Sequence, residues 1–185
     1  MATYQDLLRA PDNLIAELVD GELFLSPRPS GPHANFASVL GMDIGTAYHR
    51  GRGGPGGWWI IDEPEIHFAT SERVVVPDIA GWRRERMPTL PEDHRFTVTP
   101  DWVCEVFSPS TYRWDRDVKL ALYAEHEVPW AWYVHPVKQW VEIRKLIGGE
   151  LSLIERYESN VTFRAEPFTE VEIDLGSIWP SPPAS

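Results

Sequence analysis

Asp78 and Glu105 are acids in apolar surroundings. Glu105 lies between Val103-Cys104 and Val106-Phe107, and Asp78 follows Val74-Val75-Val76-Pro77. Both runs read as strands, from their β-branched and aromatic content and, for the first, its bracketing by Pro100 and Pro109. A run apolar on both faces belongs to a sheet covered on both sides. An ionised carboxylate buried there costs on the order of several kcal/mol unless a cation, a metal or hydrogen bonds compensate it. Paired strands lie about 4.8 Å apart, so neighbouring strands would let both carboxylates converge on one cation. The plainer alternative for either acid is a strand end pairing with a helix terminus or an arginine.

Lysine is scarce: Lys119, Lys138 and Lys145 are the lysines among 17 basic residues, the rest being arginines. In "STYRWDRDVKLALYAEH" the spacing puts Asp115, Lys119 and Tyr123 on one helix face, with Val118, Ala121 and Leu122 supplying apolar positions. The "SPST" turn would fold this helix back over the end of the Glu105 strand, bringing the Lys119 ammonium to both acids. The plainer alternative is an exposed Asp115–Lys119 pair contributing about 0.3–0.5 kcal/mol.

The elements that must position these residues follow from the patterning. Thr3 and Asp6 form a capping box for a short helix that Pro11 ends. "LIAELVDGELFL" predicts a hairpin about Asp20-Gly21. Residues 33 to 49 carry Phe36, Val39, Leu40, Ile44 and Tyr48 at helical spacing, and "RGRGGPGG" after them reads as a flexible loop. "WWIIDEPEIHF", "RVVVPDIAGW" and "DWVCEVF" are strand candidates, with an irregular Pro- and charge-rich stretch between the last two. A second long helix spans roughly 115 to 126. "WAWYVHP" and "QWVEIRKL" form a hairpin, weaker strands lie near 150 to 157 and 169 to 174, and the tail "WPSPPAS" is expected to fray. This order predicts a mixed α/β sheet with helices packed on it.

At 185 residues and 43% hydrophobic, the chain suits one domain with a real core, taken as residues 1–185. With no charged-then-apolar leader and no 18-residue apolar stretch, a soluble cytoplasmic protein without a membrane partner is expected. The lone Cys104 reads as a core thiol. A net charge of -11 argues against nonspecific coating of nucleic acid. It leaves room for a nuclease whose carboxylates hold a metal that offsets phosphate charge. The sequence has no GxSxG nucleophile elbow and no HxxxH zinc pair.

The strand-borne Pro77-Asp78 followed by Glu105 on the next core strand resembles the PD-(D/E)XK restriction-endonuclease-like superfamily. "WVCEVFSPST", then Asp115, Lys119 and Tyr123, then "VPWAWYVHP", together with the opening "ELVDGELFLSPRPSGPH", resemble the Uma family within it over nearly the whole chain. The resemblance implies a restriction-endonuclease-like α/β fold: a mixed β-sheet core flanked by helices, with additional antiparallel hairpins. It also implies an Mg²⁺-dependent endonuclease acting on DNA, with Mn²⁺ as a substitute ion. Carried over by position, Asp78 and Glu105 are metal ligands, with the Val106 carbonyl a further oxygen. Lys119 orients water and steadies developing charge, and Asp115 and Tyr123 accompany it. Glu17 is an outer ligand or hydrogen-bonding acid, or else a hairpin-edge carboxylate. His33 contacts phosphate or shapes the cleft, or else caps the helix it precedes.

Several positions depart from the pattern. The superfamily lysine stands two places after the acid, where this chain has Phe107, and Uma-like proteins take the role from the next helix. The family's "GVPEYWIVDP" is here "EVPWAWYVHP", with Glu127 for glycine and His135 for aspartate. A competing reading is a non-catalytic binding or assembly module on the same fold. Trp130, Trp132 and Trp140 would then pack a core or a dimer surface, and a homodimer could supply the cations that the acidic chain lacks.

Overall fold

A computed structural model describes residues 1–68 and 73–179. The chain opens with α1 (Tyr4–Leu7), where the Thr3 amide donates to the Asp6 carboxylate at 2.9 Å in the expected capping box. β1 (Leu14–Val19) and β2 (Glu22–Pro27) pair antiparallel about Asp20 and Gly21, whose φ values of 53° and 78° suit a tight hairpin turn. α2 (Gly31–Ile44) runs on into a π-helical turn, Gly45–His49. The glycine-rich loop after it is tied back to that turn, with Gly56 N–H donating to the Ala47 carbonyl at 3.0 Å. A Cβ on Gly54 would lie 2.5 Å from that of Ala47, so the close approach requires glycine there.

β3 (Trp58–Asp62), β4 (Glu65–Phe68), β5 (Arg73–Val75), β6 (Ile79–Arg83), β7 (Arg95–Phe96) and β8 (Trp102–Val106) follow. A π-helical turn, Trp114–Lys119, leads into α3 (Leu120–Glu125). Then come β9 (Trp130–His135), β10 (Trp140–Ile147), β11 (Glu150–Glu158), β12 (Thr162–Phe163), β13 (Ile173–Asp174) and α4 (Leu175–Ile178). The strands form a five-stranded sheet in the order β2-β1-β5-β4-β7, a six-stranded sheet in the order β11-β10-β9-β8-β6-β3, and the small β12-β13 pair. In the six-stranded sheet β8 pairs antiparallel with β6 and parallel with β9.

Two expected strands divide. "WWIIDEPEIHF" breaks at Glu63 (φ 44°) and Pro64, and "RVVVPDIAGW" breaks after Val75, ahead of Pro77. Each break carries the chain from one sheet to the other. Asp78 therefore sits in a bend at the crossing and not inside a strand, which corrects the sequence expectation.

β8 is covered on both faces. Trp102, Cys104 and Val106 join a core with α2 and the carboxy-terminal segment, while Val103 and Phe107 join a second core with α3 and the five-stranded sheet. Cys104 is fully buried, and burial pushes its thiol well above the ordinary range, which suits an inert core residue. Trp132 and Trp140 are buried and Trp130 is packed against the first core. Trp179 stacks on Phe36 at 5.0 Å, so the expected frayed tail is anchored at its first residue; residues 180–185 lie outside the described residues. No helix among the described residues is long and apolar enough to cross a membrane.

Candidate active site

The crossing between the sheets is roofed by the helix from Trp114 to Glu125. In β8 and the residue after it, the side chains of Val103, Glu105 and Phe107 alternate onto the helix-covered face, and Glu105 is 1% exposed. Lys119 reaches down from the helix to Glu105 Oε1 at 2.8 Å, Glu17 Oε1 at 3.0 Å and Asp115 Oδ1 at 3.5 Å, and its ammonium donates to the Val76 carbonyl at 3.2 Å. The plain reading of Asp115–Lys119 as a solvent-exposed pair is thereby excluded, since Lys119 is 2% exposed. Tyr123, one turn further on, donates its hydroxyl to Glu105 Oε1 at 2.5 Å.

Local backbone geometry makes this possible. A π turn closes residue i onto i+5, which sets Trp114 over Lys119, and both touch Glu17. The Trp114 indole N–H donates to Glu17 Oε2 at 2.7 Å, while Val76 N–H donates to Oε1 at 2.8 Å. Glu17 is thus an inward acid of β1 and not a hairpin-edge carboxylate. Trp114, backed by a stacked Phe24 at 4.5 Å, is a site residue that sequence reasoning missed. Its only signal was a tryptophan directly preceding Asp115.

Asp78 has different partners from those expected. Among the described residues it makes no ion pair with Lys119. Its Oδ1 lies 2.6 Å from His33 Nε2, and its Oδ2 accepts from Val106 N–H at 2.6 Å. His33 therefore sits against the acid from the first turn of α2, with its Nδ1 buried and unpartnered. A strand residue projects its N–H and C=O from the same edge, so the Val106 carbonyl faces the side that Asp78 occupies. The cleft so formed measures about 160 Å³ and is bordered by Ser26 to Ser30 and by Ser108 to Thr111.

The buried charges at the floor of the cleft do not balance. One ammonium serves Glu17, Glu105 and Asp115, and Asp78 adds a further carboxylate, while Arg28 at the exposed rim is paired with Glu63 at 3.3 Å. Burial raises Glu105 well above the usual carboxylate range, with Lys119 offsetting only part of it. Burial likewise lifts Asp115 to about 6 despite Lys119. Burial pulls Lys119 down, but the surrounding carboxylates more than reverse this, so its ammonium is held well above the ordinary lysine range and stays charged. The surplus negative charge is relieved by protons or by a further cation.

The donor set suits a hard cation. Among the described residues no three His, Cys, Asp or Glu side chains are placed to hold a metal by themselves. Magnesium does not need three, since it commonly takes one or two carboxylates and keeps waters or substrate oxygens for the rest. Glu105 Oε2 makes no hydrogen bond among the described residues, each Asp78 oxygen retains a lone pair, and the Val106 carbonyl adds a neutral oxygen.

A family model described as "Putative restriction endonuclease" (Uma2) matches residues 1–176. The chain belongs to this family. A crystal structure of "a putative nuclease belonging to DUF820" from Anabaena variabilis is similar at a TM-score of 0.78 and 19% identity, covering 97% of this chain and 98% of that one. This likeness shows that the two chains share a mixed α/β, nuclease-like fold. No curated protein matches the sequence. Against the family pattern, Glu127 has φ 58°, a left-handed conformation that glycine takes freely. Phe107, where the superfamily lysine would stand, turns into an aromatic cluster with Tyr112 at 4.8 Å and Tyr133 at 5.3 Å, and Lys119 covers the same face of β8 instead.

Proposed function

We propose that the chain is an Mg²⁺-dependent endonuclease that hydrolyses DNA phosphodiester bonds by direct attack of water. The reading rests above all on the buried, charge-unbalanced group of Glu17, Glu105 and Asp115 around one lysine, opening onto the cleft that Asp78 borders. Asp78, Glu105 and the Val106 carbonyl would hold Mg²⁺, with Mn²⁺ as a substitute. A bound divalent ion supplies Lewis acidity toward a phosphate oxygen and lowers the pKa of water.

The chain's own residues then have separable tasks. His33 and the Val106 amide fix the Asp78 carboxylate. Lys119 and Tyr123 hold Glu105 Oε1 and leave Oε2 available to a ligand. Glu17, held by Trp114 and Val76, keeps Lys119 in place. A charged Lys119 is no general base; it orients water as a donor and steadies negative charge developing on the phosphate.

Calorimetric titration with Mn²⁺, alongside a plasmid-nicking assay in Mg²⁺ and in chelator, tests the assignment. Asp78→Ala and Glu105→Ala are each expected to abolish both binding and nicking, and undiminished binding in both variants would remove these residues from the metal site. The recessed carboxylates and the small cleft also favour a second reading, a binding or assembly module that keeps the fold without catalysis. Absence of metal-dependent cleavage across single- and double-stranded substrates would select it.

A further inference from the structure

The helix from Trp114 to Glu125 faces two hollows. Asp115 and Lys119 border the carboxylate cleft, whereas Arg116, Leu120 and Ala124 border a groove of about 950 Å³ against β10 and β11. The segment before the helix divides in the same way, with Ser108 to Thr111 on the cleft and Phe107 and Tyr112 on the groove. The two hollows are thus neighbours across one wall.

We propose that this groove takes the unpaired bases of a single nucleic-acid strand whose backbone passes over the cleft, which makes the substrate single-stranded. The proposal rests on the nuclease reading above and adds the substrate class. Glu105 and Lys119 lie recessed, with side chains 2% exposed, in a cleft of about 160 Å³ between proline-bearing segments that include Pro27, Pro29 and Pro109. Duplex phosphates are held outside a stacked, stiff helix, and bringing one down to such a floor means lifting the backbone off its stack. An unpaired strand bends without that penalty.

Charge points the same way. The chain carries -11, and a duplex presents one phosphate charge per about 1.7 Å of axis, twice the density of either of its strands. Within this acidic chain the groove is locally balanced: Arg116, Lys138, Arg144 and Arg156 line it against as many carboxylates. Its walls also carry aromatic rings beside guanidinium groups. The Arg116 guanidinium lies 5.8 Å from the half-buried Tyr112 ring, which Phe107 backs, and that of Arg156 lies 4.5 Å over the buried Trp140, so the Tyr112 ring and the guanidinium planes are the surfaces open to a base. Bases stack on such rings and guanidinium planes without regard to sequence.

Fluorescence anisotropy in chelator, where no metal-dependent cleavage occurs, provides the test. The probes are a labelled 20-nucleotide mixed-sequence DNA strand, its duplex and the corresponding RNA strand. The single strand is expected to bind about tenfold or more tighter than the duplex, and Tyr112→Ala and Arg116→Ala are each expected to weaken single-strand binding about tenfold. Both residues are solvent-accessible, and thermal melts confirm that the variants fold. Equal or tighter binding of the duplex, no binding of any probe, or unchanged affinity in both folded variants would overturn the proposal. The RNA arm shows whether the groove distinguishes the sugar. Failure of the nuclease reading is recognised separately: single-strand binding would persist while Mg²⁺-dependent cleavage was absent.

Discussion

Lys119 and Arg156 are both cations set among carboxylates, and they differ in how their surroundings are balanced. Arg156 lies on β11, 39% exposed, and pairs with Glu158 at 2.7 Å and with Glu142 at 3.1 Å, while Arg144 also holds Glu142 at 2.7 Å. Two guanidiniums face two carboxylates, and water reaches them. Lys119 is 2% exposed and alone among three carboxylates. A balanced, solvated network stabilises little and leaves its guanidinium planes accessible to a ligand. An unbalanced buried one is costly to form and is ready for a proton or another cation. The contrast separates charges that already neutralise one another from a group whose charge is still unmet.

The largest expected effect lies on the buried side. Lys119→Met removes the one cation that Glu17, Glu105 and Asp115 share, leaving buried carboxylates unpaired, and is expected to lower stability by about 3–5 kcal/mol in urea denaturation. A loss below about 1 kcal/mol would put the cluster in the same class as the surface network and dissolve the comparison.

A pH effect of somewhat smaller size should follow from Asp115, whose carboxyl is lifted from 3.8 to about 6. Between those values the folded protein keeps a proton that the unfolded chain has lost. Stability therefore falls as pH rises through this window, by about 3 kcal/mol for an isolated group of this shift. Asp115→Asn is expected to reduce the slope of the profile between about pH 4 and 6, measured as denaturation midpoint against pH, with the raised Glu105 carboxyl keeping part of it. An unchanged slope would mean that Asp115 is ionised throughout and the cluster less strained than its burial indicates.

Local features of the fold were legible in the sequence because they depend on neighbours in the chain. The capping box at Thr3 and Asp6, the turn at Asp20-Gly21 and the common face of Asp115, Lys119 and Tyr123 each need only a few residues to specify them. The burial of Glu105 could also be read, since an acid in a run apolar on both faces has no exposed side to choose. What could not be read depends on the path of the chain. A short apolar run does not disclose which of two sheets it joins, so the breaks at Glu63-Pro64 and Pro77, and with them the placement of Asp78 in a bend, stayed hidden. The expected reach of Lys119 to both acids failed for the same reason: Asp78 at the crossing takes His33, 45 positions away, as its partner. Trp114 was missed because spacing rules assume an ordinary helical turn, and the π turn is what stacks i on i+5.

The smallest expected effect completes the comparison from the surface side. Arg156→Ala deletes two ion pairs and the stack on Trp140, yet it is expected to cost about 1 kcal/mol or less. Glu142 retains Arg144, and Glu158 is 62% exposed and returns to water. Screening gives a second reading of the same difference. At 0.1 M ionic strength charges separated by more than about 10 Å are already screened, and at 1 M the distance falls to about 3 Å. Added salt should therefore erase most of the gap between wild type and Arg156→Ala in urea midpoints, while most of the gap for Lys119→Met persists in a monovalent salt, because buried pairs are screened much less than exposed ones. If the Lys119 gap shrank in parallel with the Arg156 gap, the cluster would have to be open to solvent, and its surplus negative charge would need no ion to offset it.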